Sequence, residues 1–114
     1  MEIQRYEQDA RMSDIVVYGD MIYLAGQVCT ERDGVRAQAE DTLAIIERLL
    51  QLAGSDKSKI LSVMIYLSDM RNLPAFNAVW DAWVVPGRTP ARACVGVQMA
   101  RPECLVELCV TAAR

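Results

Sequence analysis

Residues 88–114 read RTPARACVGVQMARPECLVELCVTAAR, and this stretch decides the fold because both of its halves alternate as β-strands do. In the first half, apolar side chains occupy every second position from Ala93 to Met99, which leaves Arg92 on the other face. In the second half, the apolar row runs from Val106 to Ala112 and leaves Glu107 on the other face. The pattern predicts two strands joined by a turn.

Glu107 is the unusual residue of this stretch. Glutamate is disfavoured in strands, and a buried carboxylate almost always has a partner. The alternation predicts that Arg92 and Cys94 share a face with Glu107, so Arg92 is the expected partner. Two interpretations stay open: an inter-strand ion pair at a subunit interface, or a pair of functional groups in a pocket.

The preceding chain supplies a hairpin, a helix and a further strand. The β-rich runs 15–18 and 21–25 flank Gly19-Asp20, a two-residue turn, and so predict a hairpin. Apolar residues then recur at helical spacing, which predicts a helix over 36–53 that ends before Gly54. Alternation returns over 60–67 and predicts a strand with one apolar face.

A second helix follows, with Asn72 as its expected cap and Pro74 in its first turn. The element order β-β-α-β-α-β-β predicts one α+β domain over residues 1–114, with two helices on one face of a mainly antiparallel sheet. The uncovered face is too apolar to be left in water, which predicts a homo-oligomer packed through the back of the sheet. Its expected members are Met64, Tyr66, Cys94, Leu105 and Cys109.

Composition excludes several classes of function. The chain has no histidine, which removes Ser-His and Cys-His nucleophiles, and its four cysteines include no Cys-x-x-Cys pair, so no metal site is expected. A net charge of −3 without a basic, aromatic-rich run argues against nucleic acid as a partner. With no apolar span and no signal-peptide pattern, we expect no membrane association and a cytoplasmic location.

Four segments carry a resemblance to a known family. Pro90-Ala-Arg92-Ala-Cys94-Val-Gly-Val, followed by Pro102 and Leu105-Val-Glu107-Leu, is similar to the C-terminal signature of the RidA (YjgF/YER057c/UK114) family. The hairpin 19–27, the strand 60–69 and the segment Phe76-Asn77-Ala-Val-Trp80 also resemble their counterparts in that family. The chain looks closest to the short YoaB-like branch.

The resemblance implies a chorismate-mutase-like fold assembled as a homotrimer, with small pockets at the subunit boundaries. It also implies hydrolysis of reactive 2-imino or enamine acids to 2-keto acids and ammonia, with no cofactor.

The resemblance further assigns roles by position. Arg92 would bind the substrate carboxylate, and Glu107 would position the attacking water. The backbone of Cys94 would contact the imino or keto group, while its thiol is expected to be a small buried hydrophobe. Gly26 would allow a close approach, and Asn77 would line the pocket, although it also fits a plain helix-surface amide.

Two positions depart from the family pattern. Met12 stands at or near the place of a family tyrosine, and Ala25 replaces a hydroxyl-bearing residue. The resemblance therefore implies a more apolar pocket with Met12 among its substrate-binding residues. Two other hypotheses are kept: a non-catalytic trimer that binds small carboxylate metabolites, and a chorismate-mutase-type enzyme. Arg92 is the one cation expected in the pocket, which disfavours the latter because its dianionic substrate needs several.

Overall fold

The computed structural model describes residues 1–114, and its elements follow the sequence pattern with one addition. The predicted hairpin, both helices and the later strands are present, and Gly54 ends the first helix at a φ of 83°. Asn72 precedes the second helix, but its side chain makes no capping hydrogen bond. The strands are β1 (Ile3–Gln8), β2 (Ser13–Tyr18), β3 (Met21–Leu24), β4 (Ile60–Leu67), β5 (Ala91–Gly96) and β6 (Val106–Ala113), and the helices are α1 (Val35–Leu52) and α2 (Leu73–Trp83).

The strand that sequence analysis missed is β1. It pairs antiparallel with β2, yet nearly all its side chains are exposed, so it has no apolar row for a period of two to reveal. No helix of the chain combines the length and the apolar character that a membrane span needs.

The sheet has six strands in the order β1-β2-β3-β6-β4-β5. All pairs are antiparallel except β4 with β5, which run parallel because α2 carries the chain back between them. The expectation that β5 and β6 are joined as neighbours is therefore wrong. β4 lies between them, and the segment 97–105 crosses from one side of β4 to the other.

Both helices pack on the same face of this sheet, which confirms the predicted α+β class. The helical stripe of α1, from Ala39 to Leu50, is buried against the inward rows of the strands, as are Phe76 and Trp80 of α2. Full burial of one Ile or Leu side chain stabilises the fold by about 1.5–3 kcal/mol, so this layer holds the domain together.

The other face of the sheet carries no helix, and we call it the open face. Tyr23, Val95 and Val97 are between 40% and 48% exposed, and Met64 and Tyr66 are half-buried. The expected row Ala93 to Met99 lies mainly in solvent, because the pairing of Ile65 with Cys94 turns Cys94, not Ala93, toward the helices. The open face is thus more apolar than a solvated surface requires.

Candidate functional site

The first group of predicted site residues lies on the helix side of β5, an edge strand. The Arg92 guanidinium donates a hydrogen bond from Nη2 to Oδ1 of Asn77, on α2, over 2.7 Å. Its Cζ also lies 5.4 Å from the ring centroid of Trp80, one turn further along α2. Helix α2 therefore orients the guanidinium from two directions, through an acceptor and through an aromatic face.

Arg92 has no acidic partner in the chain. It is exposed and forms no ion pair, unlike Arg32, Arg48 and Arg71. Asn77 accounts for one of its five N–H donors, and the remaining donors keep the planar two-donor geometry that fits a carboxylate. This part of the site can bind a carboxylate from outside the chain.

Cys94 lies next to this group and is half-buried against the core. Burial raises the pKa of the Cys94 thiol, and the nearby positive charge of Arg92 offsets only part of that rise. The thiolate is the nucleophilic form of cysteine, so the shift disfavours a reactive role. The side chain behaves as the small hydrophobe that the sequence predicted.

The second group lies on the open face, around Glu107. Glu107 pairs with Tyr66 across β6 and β4, and both line a cleft of about 270 Å³ with Gly26 and Cys109. The segment after β5 closes the cleft through Val97, Gln98, Met99 and Ala100. No cation lines this cleft, so the only charged group in its wall is the Glu107 carboxylate.

Gly26 lies directly beside the Glu107 carboxylate. After β3 the chain continues alongside β6 and pairs with it through an isolated antiparallel bridge between Gln27 and Leu108, with backbone hydrogen bonds of 2.9 and 3.1 Å. A Cβ atom built on Gly26 would collide with the Glu107 carboxylate. The glycine therefore lets the backbone pass directly beside the acid.

The two groups do not meet within one chain, so the expectation that Arg92 shares a face with Glu107 is wrong. Arg92 is in register with Val63 on the helix side, whereas Glu107 is in register with Tyr66 on the open face. β4 separates their strands. An ion pair between Arg92 and Glu107 within the chain is thereby excluded.

One further expectation about faces needs correction. Cys94 belongs to the helix side, not to the uncovered face, because its register partner Ile65 is fully buried. Cys109 does lie on the uncovered face, where it is exposed.

Met12 lies apart from both groups. It belongs to the turn between β1 and β2 and is 43% exposed, and its backbone N–H donates a hydrogen bond of 2.8 Å to Oδ1 of Asp9. It lines a separate shallow cleft with Arg11 and Ser13. In a single chain, Met12 therefore contributes nothing to the cleft of Glu107.

Sequence reasoning missed three contributors to these groups. Trp80 is 5% exposed and packs in the core, yet it also supports the Arg92 guanidinium. Tyr66 and Met99 were assigned to faces but not to the cleft they line. The available signal for Tyr66 was its place on the mixed face of β4, where it lies opposite Glu107 of β6. No cluster of three or more His, Cys, Asp or Glu side chains that could hold a metal ion is present.

Comparison with known proteins gives concordant matches over almost the whole chain. The profile of the family described as Endoribonuclease L-PSP matches residues 2–114. The chain is 37% identical over 113 residues to the RutC family protein YoaB of Escherichia coli, with 99% of each chain covered.

Solved structures agree with these sequence matches. A member of the YjgF protein family from Neisseria meningitidis gives a TM-score of 0.98 at 44% identity, covering 100% of this chain and 96% of that one. A member of the YjgF/YER057c/UK114 family from Mycobacterium tuberculosis gives 0.85 at 26% identity, covering 92% and 88%. The chorismate-mutase-like fold that the resemblance implied is confirmed.

Proposed function

Because the chain belongs to the Endoribonuclease L-PSP family, which its matches place with the YjgF and RutC proteins, we propose that it hydrolyses reactive 2-imino and enamine acids to 2-keto acids and ammonia. The observation that carries the proposal is the pre-oriented Arg92 guanidinium without an acidic partner. A 2-imino acid carries a carboxylate next to its reacting carbon. A fixed, unpaired guanidinium would therefore hold that carbon at a set distance.

Glu107 is the proposed general base. The carboxylate would accept a proton from a water molecule as the water oxygen bonds to the imine carbon, and the C=N π electrons move to nitrogen. Glu107 then passes this proton to the nitrogen, which gives a carbinolamine. The hydroxyl proton next moves through Glu107 to the nitrogen, so that the C–N bond breaks, ammonia leaves and the keto group forms. All atoms come from substrate and water, so no cofactor enters the reaction.

The separation of Arg92 from Glu107 supports a site shared between subunits. One chain cannot supply both groups to one small substrate, because they lie on opposite faces of the sheet. A second copy docked with its open face near the edge strand β5 could supply the missing group. We propose the homotrimer that the family resemblance implies, with Arg92 from one protomer and Glu107 from its neighbour in each pocket.

The wall of the Glu107 cleft supports an apolar substrate side chain. Val97, Met99 and Ala100 line it, and the only side-chain amide is that of Gln98. A basic or acidic substrate side chain would find no matched charge there beyond Glu107 itself.

The test generates imino acids in situ with an amino-acid oxidase and traps them with semicarbazide. We expect the protein to divert the imino acid to keto acid, so that the rate of semicarbazone formation falls. Light scattering after size exclusion should give three times the chain mass of 12.7 kDa. An unchanged semicarbazone rate with a range of apolar imino acids would refute the deaminase proposal, and a monomer would refute the shared pocket.

A non-catalytic carboxylate binder is the second candidate, and one observation favours it. The carboxylate-binding group is complete in a single chain, since Arg92 already contacts both Asn77 and Trp80. Tight keto-acid binding without diversion of imino acids would support this candidate. RNA cleavage, which the family description names, gains no support from a chain with a net charge of −3 and no histidine.

A further inference from the structure

The segment 97–105, which joins β5 to β6, forms a thin wall of the Glu107 cleft. Val97, Gln98, Met99 and Ala100 line that cleft on one side. The same four residues line a second cleft, of about 680 Å³, on the other side. A segment with open space on both sides gains little stability from packing, so its position depends on where it is anchored.

Both ends of the segment are anchored to the end of β4. The Val97 N–H donates to the Leu67 carbonyl over 3.0 Å, and the Ser68 N–H donates to the Leu105 carbonyl over 3.2 Å. Between these bonds the segment makes an internal turn, in which the Cys104 N–H donates to the Arg101 carbonyl. None of these bonds ties the wall to the helical layer.

Gln38 of α1 provides that tie. Its side chain is 2% exposed, and its amide makes two hydrogen bonds of 2.9 Å each. Nε2 donates to the Glu103 carbonyl, and Oε1 accepts from the Leu105 N–H. The two bonds flank Cys104, which is 4% exposed. Since buried polar groups left without partners are costly, loss of the Gln38 amide would displace the backbone it holds.

We propose that Gln38 is a positioning residue for turnover: its buried amide fixes the 97–105 wall beside Glu107. The inference rests on the proposed function and deepens it. Gln38 acts through Leu105, two residues before Glu107, so its loss would disturb the reacting side of the pocket. Arg92 lies on the opposite face of the sheet, so carboxylate binding would be spared.

Two variants of Gln38 and one control test this role. Gln38→Leu keeps the size and removes both hydrogen bonds. Gln38→Glu keeps the shape, but an ionised carboxylate cannot donate to the Glu103 carbonyl. Ser55→Ala is the control, because Ser55 is 9% exposed and its hydroxyl donates to the Ala113 carbonyl at the far end of β6. The control loses a comparable hydrogen bond without touching the wall.

The first measurement is alkylation of Cys104 by iodoacetamide in the assembled protein, followed by peptide mass spectrometry. Gln38→Leu should speed labelling of Cys104 by about tenfold or more, since local opening then exposes the thiol. Ser55→Ala should leave the Cys104 rate within about twofold of wild type, because distant sites act independently.

The second measurement is steady-state deamination. In Gln38→Leu, kcat should fall by about tenfold to a hundredfold, as expected for misplacement of reacting groups. KM should change little for the smallest imino acid, whose side chain makes the least contact with the wall. In Ser55→Ala neither constant should change.

The Gln38→Glu variant adds a pH readout. Burial raises the pKa of a carboxyl above its ordinary value near 4.3, and the protonated acid can both donate to Glu103 and accept from Leu105. The restored hydrogen bonds are then present at low pH and lost as pH rises through the raised pKa. The ratio of kcat in Gln38→Glu to kcat in wild type should therefore be highest at low pH.

Three outcomes would overturn the inference. The first is unchanged labelling of Cys104 in Gln38→Leu, and the second is faster labelling with an unchanged kcat. The third is a Gln38→Glu variant whose kcat, relative to wild type, is equally low at every pH. Absence of turnover in wild type would instead refute the proposed function, and the labelling result would then decide whether Gln38 holds the wall.

Discussion

Replacement of Arg92 by lysine isolates the contribution of the guanidinium. Lysine keeps the positive charge but loses the planar pair of donors, the hydrogen bond to Asn77 and the contact with Trp80. Each of these fixes the direction in which Arg92 meets a carboxylate. A charge-assisted hydrogen bond is worth about 1.5–3 kcal/mol, so the affinity for a keto acid should weaken by about tenfold to a hundredfold.

Calorimetric titration with pyruvate or 2-oxobutyrate measures this affinity directly. Arg36→Lys, on the exposed surface of α1, is the matched control and should bind as wild type does. The melting temperature of Arg92→Lys should change little, because Arg92 is exposed and forms no ion pair. Unchanged keto-acid affinity in Arg92→Lys, or an equal loss in Arg36→Lys, would refute the assignment of Arg92 as the carboxylate anchor.

Three other substitutions address the remaining site residues. Glu107→Gln keeps the shape and removes the base, so keto-acid binding should persist while kcat falls by about two orders of magnitude or more. Wild-type rates of keto-acid formation in this variant would contradict the role of Glu107 as the base. Gly26→Ala should lower kcat, because its Cβ would displace the Glu107 carboxylate, and a wild-type kcat would rule out the close approach. Met12→Tyr should leave stability unchanged, since Met12 is exposed. The rate on small imino acids, relative to bulky ones, should stay the same or rise. A wild-type protein that is fastest on the smallest imino acid would speak against an enlarged apolar pocket.

The sequence predicted the helices and most of the strands better than it predicted which side chains meet. Alternation in β5 correctly separates Arg92 from Ala93, but a period of two does not state which side faces the helices. The element order supplied only part of the missing information. A strand, a helix and a strand joined by short connections favour a parallel pair, as β4 and β5 form. Adjacency does not follow from that order, because β3, α1 and β4 form the same kind of unit and β6 lies between β3 and β4.

The wall of the Glu107 cleft was beyond sequence reasoning for a different reason. The segment 97–105 has no periodic pattern, and the side chain that fixes it, Gln38, lies 65 residues before Glu103 in the chain. Gln38 also occupies a position on α1 next to the apolar stripe, where a glutamine is ordinarily a solvated residue. Only the folded structure brings its amide to the two backbone groups it satisfies.

The placement of Arg92 and Glu107 on opposite faces of one sheet ties the proposed activity to mass action. An isolated chain would have a carboxylate anchor and a base that cannot act on the same molecule. At chain concentrations well below the assembly constant, the fraction in trimers would fall steeply with dilution, and activity per chain would fall with it. A dilute protein of this design would release unreacted imino acid, whereas the same chains at higher concentration would consume it.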